Sequence, residues 1–304
     1  MYSHRAWICI MHLWCLAKMY NIENKKVVIT GSTGFLGKHL VERFIDCDVM
    51  EIKRDLSLID NIQSFNPDYI FHFAAEIYDE KSMFESNVLM TYRLLEETKD
   101  LNYTSFVYCG SSSEYGTKNK PMSENDYLEP ITLYSATKSA ATMLCKGYAE
   151  RYKKPIVTVR PFSVYGLYEK PHRFIPTLFD RFIKNETIKV SPGVHDFIYI
   201  DDFINAVLTI SNSESDMISG DVVNIGYGSQ WTNKEVYDVM RNIFQYDIDV
   251  DFVEDKLRTF DTTESWVADI SKLKDKYKYF PKYDIEKGLK ELYNLKIGDY
   301  SNEK

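Results

Sequence analysis

Cysteine is scarce in this sequence of 304 residues. The five that occur, Cys9, Cys15, Cys47, Cys109 and Cys145, lie too far apart for a metal knuckle and read most simply as free thiols of a reducing cytoplasm. A basic block is missing as well. The 37 Lys and Arg stand against 45 Asp and Glu, a net charge of -8, so the chain has no electrostatic footprint for nucleic acid. No run of 18 or more apolar residues occurs, and nothing is therefore long enough to span a bilayer as a helix. Repeats, low-complexity tracts and long linkers are absent too. What is plentiful is apolar side chain, 44% of residues with 14% aromatic, enough to bury the core of one large domain or two. Disordered and fibrous classes are excluded on the same grounds.

The segment Ala6–Ala17, with His4 and Arg5 ahead of it, faintly resembles the charged and apolar regions of a secretory signal. It contains His12, however, and lacks a small-x-small cleavage site. Residues 1–24 are read as an extension outside the fold, with Met19 as the natural beginning.

From Lys25 onward, β-branched and aromatic runs alternate with stretches of helical periodicity, the order of a parallel sheet wrapped by crossover helices. The expected strands are Val27–Thr30, Val49–Ile52, Tyr69–Phe73, Ser105–Cys109, Ile156–Arg160 and Val222–Ile225. Helices are expected over Phe35–Asp46, Ile59–Phe65, Ser86–Thr98 and Tyr134–Arg151. After Gly166 the alternation fades into elements rich in Phe, Tyr, Pro and charge, which marks a second, smaller lobe.

Val27-Val28-Ile29-Thr30 runs straight into Gly31-Ser32-Thr33-Gly34-Phe35-Leu36-Gly37 and then an amphipathic helix. Strand, tight turn and helix start are the context a dinucleotide loop requires. Gly31 permits the turn, Gly34 lets backbone approach a pyrophosphate, and Gly37 lets helix pack on strand. Thr33, Phe35 and Leu36 complete the candidate phosphate cradle at the positive end of the helix. A glycine-rich turn without a ligand is the alternative.

Tyr134 and Lys138 stand four residues apart on one predicted helix, so both emerge from the same face. A cation beside a phenol favours the phenolate and suits Tyr134 to general acid–base work. An exposed helix pair is the bland reading of that spacing alone. Upstream, the strand through Phe106-Val107-Tyr108-Cys109 ends in Gly110-Ser111-Ser112-Ser113-Glu114-Tyr115-Gly116, a run of hydroxyls.

The Gly-x-x-Gly-x-x-Gly spacing, followed in order by a serine-ended strand and Tyr-x-x-x-Lys, resembles the extended, nucleotide-sugar-modifying branch of the short-chain dehydrogenase/reductase superfamily. That resemblance covers nearly the whole chain. It implies a Rossmann-type doubly wound parallel sheet with a smaller mixed α/β C-terminal substrate lobe. The cofactor domain would be 25–166 with later contributions from about 196–228, and the substrate lobe 167–195 and 229–304. It implies catalytic roles for Tyr134, Lys138 and Ser111, the last standing four residues before the Tyr-Gly pair, with Ser112 second. Phe71-His72-Phe73-Ala74-Ala75 looks like the family strand beside the nicotinamide, where Phe73, Ala74 and Ala75 would line the cofactor, and Asn87 heads the helix that follows. Arg160-Pro161-Phe162-Ser163-Val164-Tyr165-Gly166 resembles the family turn that supplies Pro161 to the cofactor. Ser163 there replaces a substrate-touching asparagine, and His195 stands where arginine is frequent. Arg258, ahead of Ala268-Asp269-Ile270-Ser271-Lys272, matches the arginine for the substrate diphosphate, a role suited to a planar charged fork. Ser112, Ser113, Ser163 and Arg258 are thus the expected substrate contacts.

Dehydratases of the family carry Glu two residues before the Tyr of the Tyr-Gly pair, a position held here by Ser113. Glu114 is one residue late and, on a strand end of period two, would point to the other side. Dehydration is accordingly the least favoured chemistry. After the second strand, Glu51-Ile52-Lys53-Arg54 runs directly into Asp55-Leu56. That compression resembles the 4-keto-sugar reductases, with Lys53 or Arg54 meeting a 2′-phosphate and Asp55 and Leu56 beside the adenine. Reduction of a 4-keto-sugar nucleotide with NADPH is the leading expectation. The alternatives are an NAD-dependent 4-epimerase, with Glu51 on the ribose hydroxyls, and a non-catalytic dinucleotide-binding sensor or scaffold. A cytoplasmic homodimer with a nucleotide-sugar partner, and neither nucleic acid nor membrane, completes the picture.

Overall fold

The computed structural model describes residues 22–52, 56–254 and 264–300. Lys53, Arg54, Asp55 and Arg258 lie outside the described residues, as do residues 1–21. Two compact units emerge. The first combines the described residues up to Gly116 with Leu128–Arg160 and Ile204–Val223; the second combines Thr117–Tyr127, Pro161–Phe203 and the described residues from Asn224 onward.

The first unit is built on a six-stranded sheet. Its strands are β1 (Lys26–Thr30), β2 (Asp48–Ile52), β3 (Tyr69–His72), β4 (Ser105–Cys109), β5 (Ile156–Pro161) and β6 (Val222–Ile225), in the order β6-β5-β4-β3-β1-β2. The pairs from β2 through β5 run parallel. β3 and β4 are buried along their whole length, which is why they read as unbroken apolar runs, whereas the edge strand β2 leaves Asp48 exposed. The strand order reverses between β1 and β3, where Thr30 pairs with His72. In open sheets of this kind ligands bind beyond the carboxyl ends of the strands at that reversal.

Below the sheet, Val28, Ile70, Leu94, Leu95, Phe106 and Ile156 belong to one buried cluster, each such side chain contributing roughly 1.5–3 kcal/mol over exposure. Two of its members, Leu94 and Leu95, come from α2 (Met90–Thr98), which follows α1 (Phe35–Arg43) in our numbering. A third helix, α3 (Leu133–Tyr152), adds Ala141, Cys145 and Ala149.

Several elements differ from expectation. α1 stops at Arg43, short of Asp46, because the Phe44 N–H turns back to Val41 and Cys47 closes on Phe44. Phe44 is then free to bury its ring against Phe71 at 5.2 Å. The helix expected over Ile59–Phe65 is a 3-10 stretch Leu56–Asn61 and one α turn, Ile62–Phe65, ended by Asn66 in the left-handed region (φ 50) ahead of Pro67. The helix expected over Ser86–Thr98 starts earlier, at Glu80 behind an Asp79 cap, and passes through a π turn, Glu85–Leu89, before α2. β3 ends at His72 and β5 runs on to Pro161, each one residue from expectation. α3 exceeds its expected span by one residue at each end, set by a Thr132–Ser135 capping box and a left-handed Lys153 (φ 52).

The second unit consists of helices with short two-stranded pairs. Phe182, on the helix Phe174–Lys184, stacks on Phe244 of the helix Asn233–Phe244 at 4.9 Å. Two buried carboxylates tie its loops together. Asp196 accepts from the backbone N–H groups of Tyr227, Gly228 and Ala268, and Asp202 accepts from Tyr279 Oη and the N–H groups of Lys282 and Tyr283. Among the described residues no helix is long and apolar enough to cross a membrane.

Candidate functional site

The glycine loop sits at the β1/β3 reversal. Gly31 has φ +74, in the left-handed region, and a Cβ there would stand 2.6 Å from the Ala74 nitrogen. A Cβ on Gly37 would run into the Gly31 carbonyl oxygen, so α1 packs onto the loop itself. Gly34 caps α1 without any side-chain hydrogen bond, leaving the helix amides beside it for an anion. Ser32 Oγ is buried and has no partner among the described residues. A cradle that only glycine permits, a helix start and an unsatisfied hydroxyl together fit the pyrophosphate of a dinucleotide. Thr33 is exposed, Phe35 and Leu36 are half-buried, and Phe73, Ala74 and Ala75 follow directly on β3.

A buried relay fixes the floor of this cradle. The Ala74 N–H donates to Thr30 Oγ1 at 3.1 Å, and Thr30 Oγ1 lies 2.6 Å from His72 Nδ1. His72 Nε2 lies 2.8 Å from Thr91 Oγ1, whose hydrogen goes to the Asn87 carbonyl at 2.7 Å. Thr91 therefore accepts from Nε2–H, and Nδ1 accepts from Thr30, which defines the neutral tautomer. Burial, with the Lys138 charge second, lowers the His72 pKa to about 3. Asn87 continues the relay by donating to Thr137 Oγ1 at 3.0 Å, and Thr137 donates to the Tyr134 carbonyl at 2.8 Å.

The serine run at the end of β4 folds into a 3-10 turn, Ser112–Tyr115, capped by Ser111. Ser111 Oγ accepts from the Ser113 N–H at 3.2 Å and shares a hydrogen bond with Ser113 Oγ at 2.7 Å. Ser111 and Ser113 are half-buried while Ser112 is buried. Glu114 lies on this 3-10 turn and not, as expected, on an alternating strand end, and its side chain folds back so that Oε1 accepts from the Ser111 N–H. It is fully buried, and its Oε2 accepts from Arg160 Nη2 at 2.9 Å and Nε at 3.0 Å.

Tyr134 lies half-buried on the first turn of α3, one turn before Lys138. Lys138 is buried, with Nζ donating to the Cys109 carbonyl at 2.5 Å and standing 4.4 Å over the Tyr108 ring. Burial pulls its pKa below the ordinary lysine value. The ammonium is thus anchored at the end of β4, two residues before Ser111.

In the second unit the two departures from the family pattern meet: Ser163 Oγ is 3.4 Å from His195 Nδ1. Beside them is a cavity of about 300 Å³ lined by Ser191, Gly193, Thr232, Asn233, Lys234 and Phe252, among others. Asn233 donates to the Ser191 carbonyl at 3.0 Å, while its buried Oδ1 has no partner among the described residues.

A family model described as the NAD dependent epimerase/dehydratase family matches residues 27–226. The chain belongs to that family. Among curated relatives, the low-salt glycan biosynthesis protein Agl12 of Haloferax volcanii is 28% identical, over 86% of this chain and 84% of its own length. The uncharacterized UDP-glucose epimerase YtcB of Bacillus subtilis is 27% identical, over 87% and 95%. Among solved structures, the UDP-glucuronic acid 4-epimerase of Bacillus cereus, in complex with UDP-glucuronic acid and NAD, superposes with a TM-score of 0.78. It is 25% identical, over 90% of this chain and 100% of that one.

Family membership makes a nicotinamide dinucleotide the cofactor class, and the glycine cradle fits it. The expected preference for NADPH finds no support. It rested on Lys53 and Arg54, which lie outside the described residues, whereas Glu51 stands near the carboxyl end of β2 opposite Ile29. Sequence reasoning passed over Arg160 as a partner for Glu114, and over Asn233 altogether. A Thr-Asn-x-Glu capping signal before an amphipathic helix was the only local clue to Asn233.

Proposed function

We propose that this family member is an NAD-dependent 4-epimerase of a nucleotide sugar, acting on a UDP-linked hexose or hexuronate. The observation that carries this reading is the burial of Glu114 against Arg160: the turn at Ser111 then presents hydroxyls and no carboxylic acid, which suits redox at C4 and not elimination of water. Glu51, near the end of β2, suits the ribose hydroxyls of NAD. The likeness to the Bacillus cereus enzyme supports the same choice.

The dinucleotide, when bound, supplies a reversible two-electron oxidant at the sugar carbon. The loop at Gly31 and Gly34 would hold its phosphates, with Gly37 letting α1 pack against that loop. Tyr134 removes the proton from the C4 hydroxyl and later returns it. Ser111 donates a hydrogen bond to the same oxygen as its charge changes. Lys138 sets the field at Tyr134 and holds the ribose. In the second unit, Ser163 and the cavity at Asn233, whose Oδ1 offers an acceptor to a base N–H, are assigned to the nucleotide sugar; Arg258, outside the described residues, is assigned to it from the resemblance alone. The first unit is accordingly the cofactor domain and the second the substrate lobe. A homodimer through α2 and α3 would cover Tyr92 and Met143, which are 44% and 47% exposed. A cytoplasmic location accompanies the substrate class.

A second reading, reduction of a 4-keto-sugar nucleotide by NADPH, draws on the short connection from Ile52 to the 3-10 stretch at Leu56. One experiment separates them: denature the purified protein and identify the nucleotide released. Stoichiometric NAD, together with interconversion of UDP-sugars at C4, supports the epimerase. An empty site, with NADPH consumed by a 4-keto-sugar nucleotide, overturns it in favour of the reductase.

A further inference from the structure

The proposed chemistry makes no use of Glu114, yet its carboxylate touches the elements that carry the candidate catalytic groups. Oε1 accepts from the Ser111 backbone N–H at 2.8 Å. Oε2 accepts from Thr142 Oγ1 at 2.9 Å, one turn beyond Lys138 on α3, and from the buried Arg160 at the end of β5. Arg160 in turn lies 4.6 Å over the Tyr115 ring. Gly110 leaves room for the carboxylate, since a Cβ there would stand 2.5 Å from Oε1. Desolvation largely offsets the attraction in a buried pair of this kind, so stability is a weak reason for keeping it. Geometry is a better one.

We propose that Glu114, clamped by Arg160, is a positioning residue that fixes the Ser111 turn against α3 and so aims the Ser111 hydroxyl at the reacting oxygen. This rests on the reading of Ser111 as the hydrogen-bond donor to that oxygen. A carboxylate is required because every group facing it is a donor: the Ser111 N–H on one oxygen, Thr142 and Arg160 on the other. Glutamine keeps the shape but offers one acceptor. Its oxygen goes to the Arg160 cation, and its NH₂ then faces the Ser111 N–H, donor against donor. Displacement of a catalytic group by about 1 Å costs roughly 100-fold in rate.

The test is a double-mutant cycle of Glu114→Gln and Ser111→Ala, read as C4 epimerisation of UDP-glucuronate to UDP-galacturonate and of UDP-glucose to UDP-galactose. Glu114→Gln should lower kcat about 10- to 100-fold with KM within about threefold and bound NAD unchanged. In the Ser111→Ala background it should cost less than about twofold more. Losses that multiply, or a raised KM at unchanged kcat, would overturn the proposal. An unchanged kcat in Ser111→Ala would sink the reading of Ser111 instead. Hydrogen exchange of the amides from Ser111 to Glu114 then decides the geometry without turnover: about tenfold faster exchange in Glu114→Gln is expected, and unchanged exchange refutes the clamp. If Glu114→Gln does not fold, the Glu114→Leu/Arg160→Met pair removes both charges together with the acceptor that the Ser111 N–H needs. It should show the same kcat loss, and wild-type kcat in that pair refutes the proposal.

Discussion

Thr30 and His72 stand side by side in register on β1 and β3 and share a buried hydrogen bond of 2.6 Å. Through it, the residue that ends the strand before the glycine loop is linked to an imidazole held neutral, and through Thr91 and Asn87 to the helix that carries Tyr134. The cradle and the candidate acid–base helix are thereby parts of one hydrogen-bonded frame.

Acid should dismantle this frame. His72 stays neutral in the fold down to about pH 3, whereas in the unfolded chain it takes a proton near its ordinary value of 6.5. Its stabilising contribution is complete above pH 6.5 and is lost as pH falls toward 3. His72→Phe should cost about 2–3 kcal/mol at pH 8, from unpaired hydroxyls, and less at pH 4. Urea unfolding at the two pH values checks this, and a deficit independent of pH would contradict it.

Glu169 has the opposite sign. Burial pushes its carboxyl up to about 7, despite Arg173 at 3.5 Å, and its Oε2 is buried without a partner among the described residues. The folded chain holds this proton more tightly than the unfolded one, so stability falls as pH rises from 4.5 to 7. Glu169→Gln should match the parent near pH 4.5 and exceed it by about 1–2 kcal/mol at pH 8. A Tm series across that range would show a flatter curve for the variant.

Two glycines make a paired test of the cradle. Gly37→Ala places a methyl against the Gly31 carbonyl, and bound nucleotide should drop at least about tenfold because backbone cannot yield cheaply. Gly147→Ala, on α3 with nothing within 4 Å of the added Cβ, should leave nucleotide content intact and raise stability by about 0.5–1 kcal/mol. Equal nucleotide content in both variants would remove the case for the cradle.

Tyr134→Phe keeps the ring and removes only the hydroxyl. Turnover should fall about 10²–10⁴-fold, with bound NAD retained. Turnover near the parent's would rule out Tyr134 as the acid–base group.

Strands and the glycine loop were legible because their signals are local. Ser105–Cys109 and Val222–Ile225 have the expected limits, each a mostly apolar run buried where the sheet covers it. Gly31 to Gly37 combines strand end, turn and helix start within seven residues of sequence. The π turn at Glu85–Leu89 was not legible, since what accompanies it is tertiary: Asn87 reaches back to both backbone groups of Glu76 and across to Thr137.

The sequence by itself determined the family, the sheet and the order of the candidate groups along the chain, because periodicity and turn chemistry act over a few residues. It did not show that the strand ends before Glu114, which folds back from a 3-10 turn onto the Ser111 N–H. Only the tertiary structure decided what meets that carboxylate. Arg160 is 46 residues away, and nothing local marks it as the partner. The two meet because β4 and β5 are neighbours in the sheet, and a buried charge must find its counter-ion among whatever that strand order brings within reach.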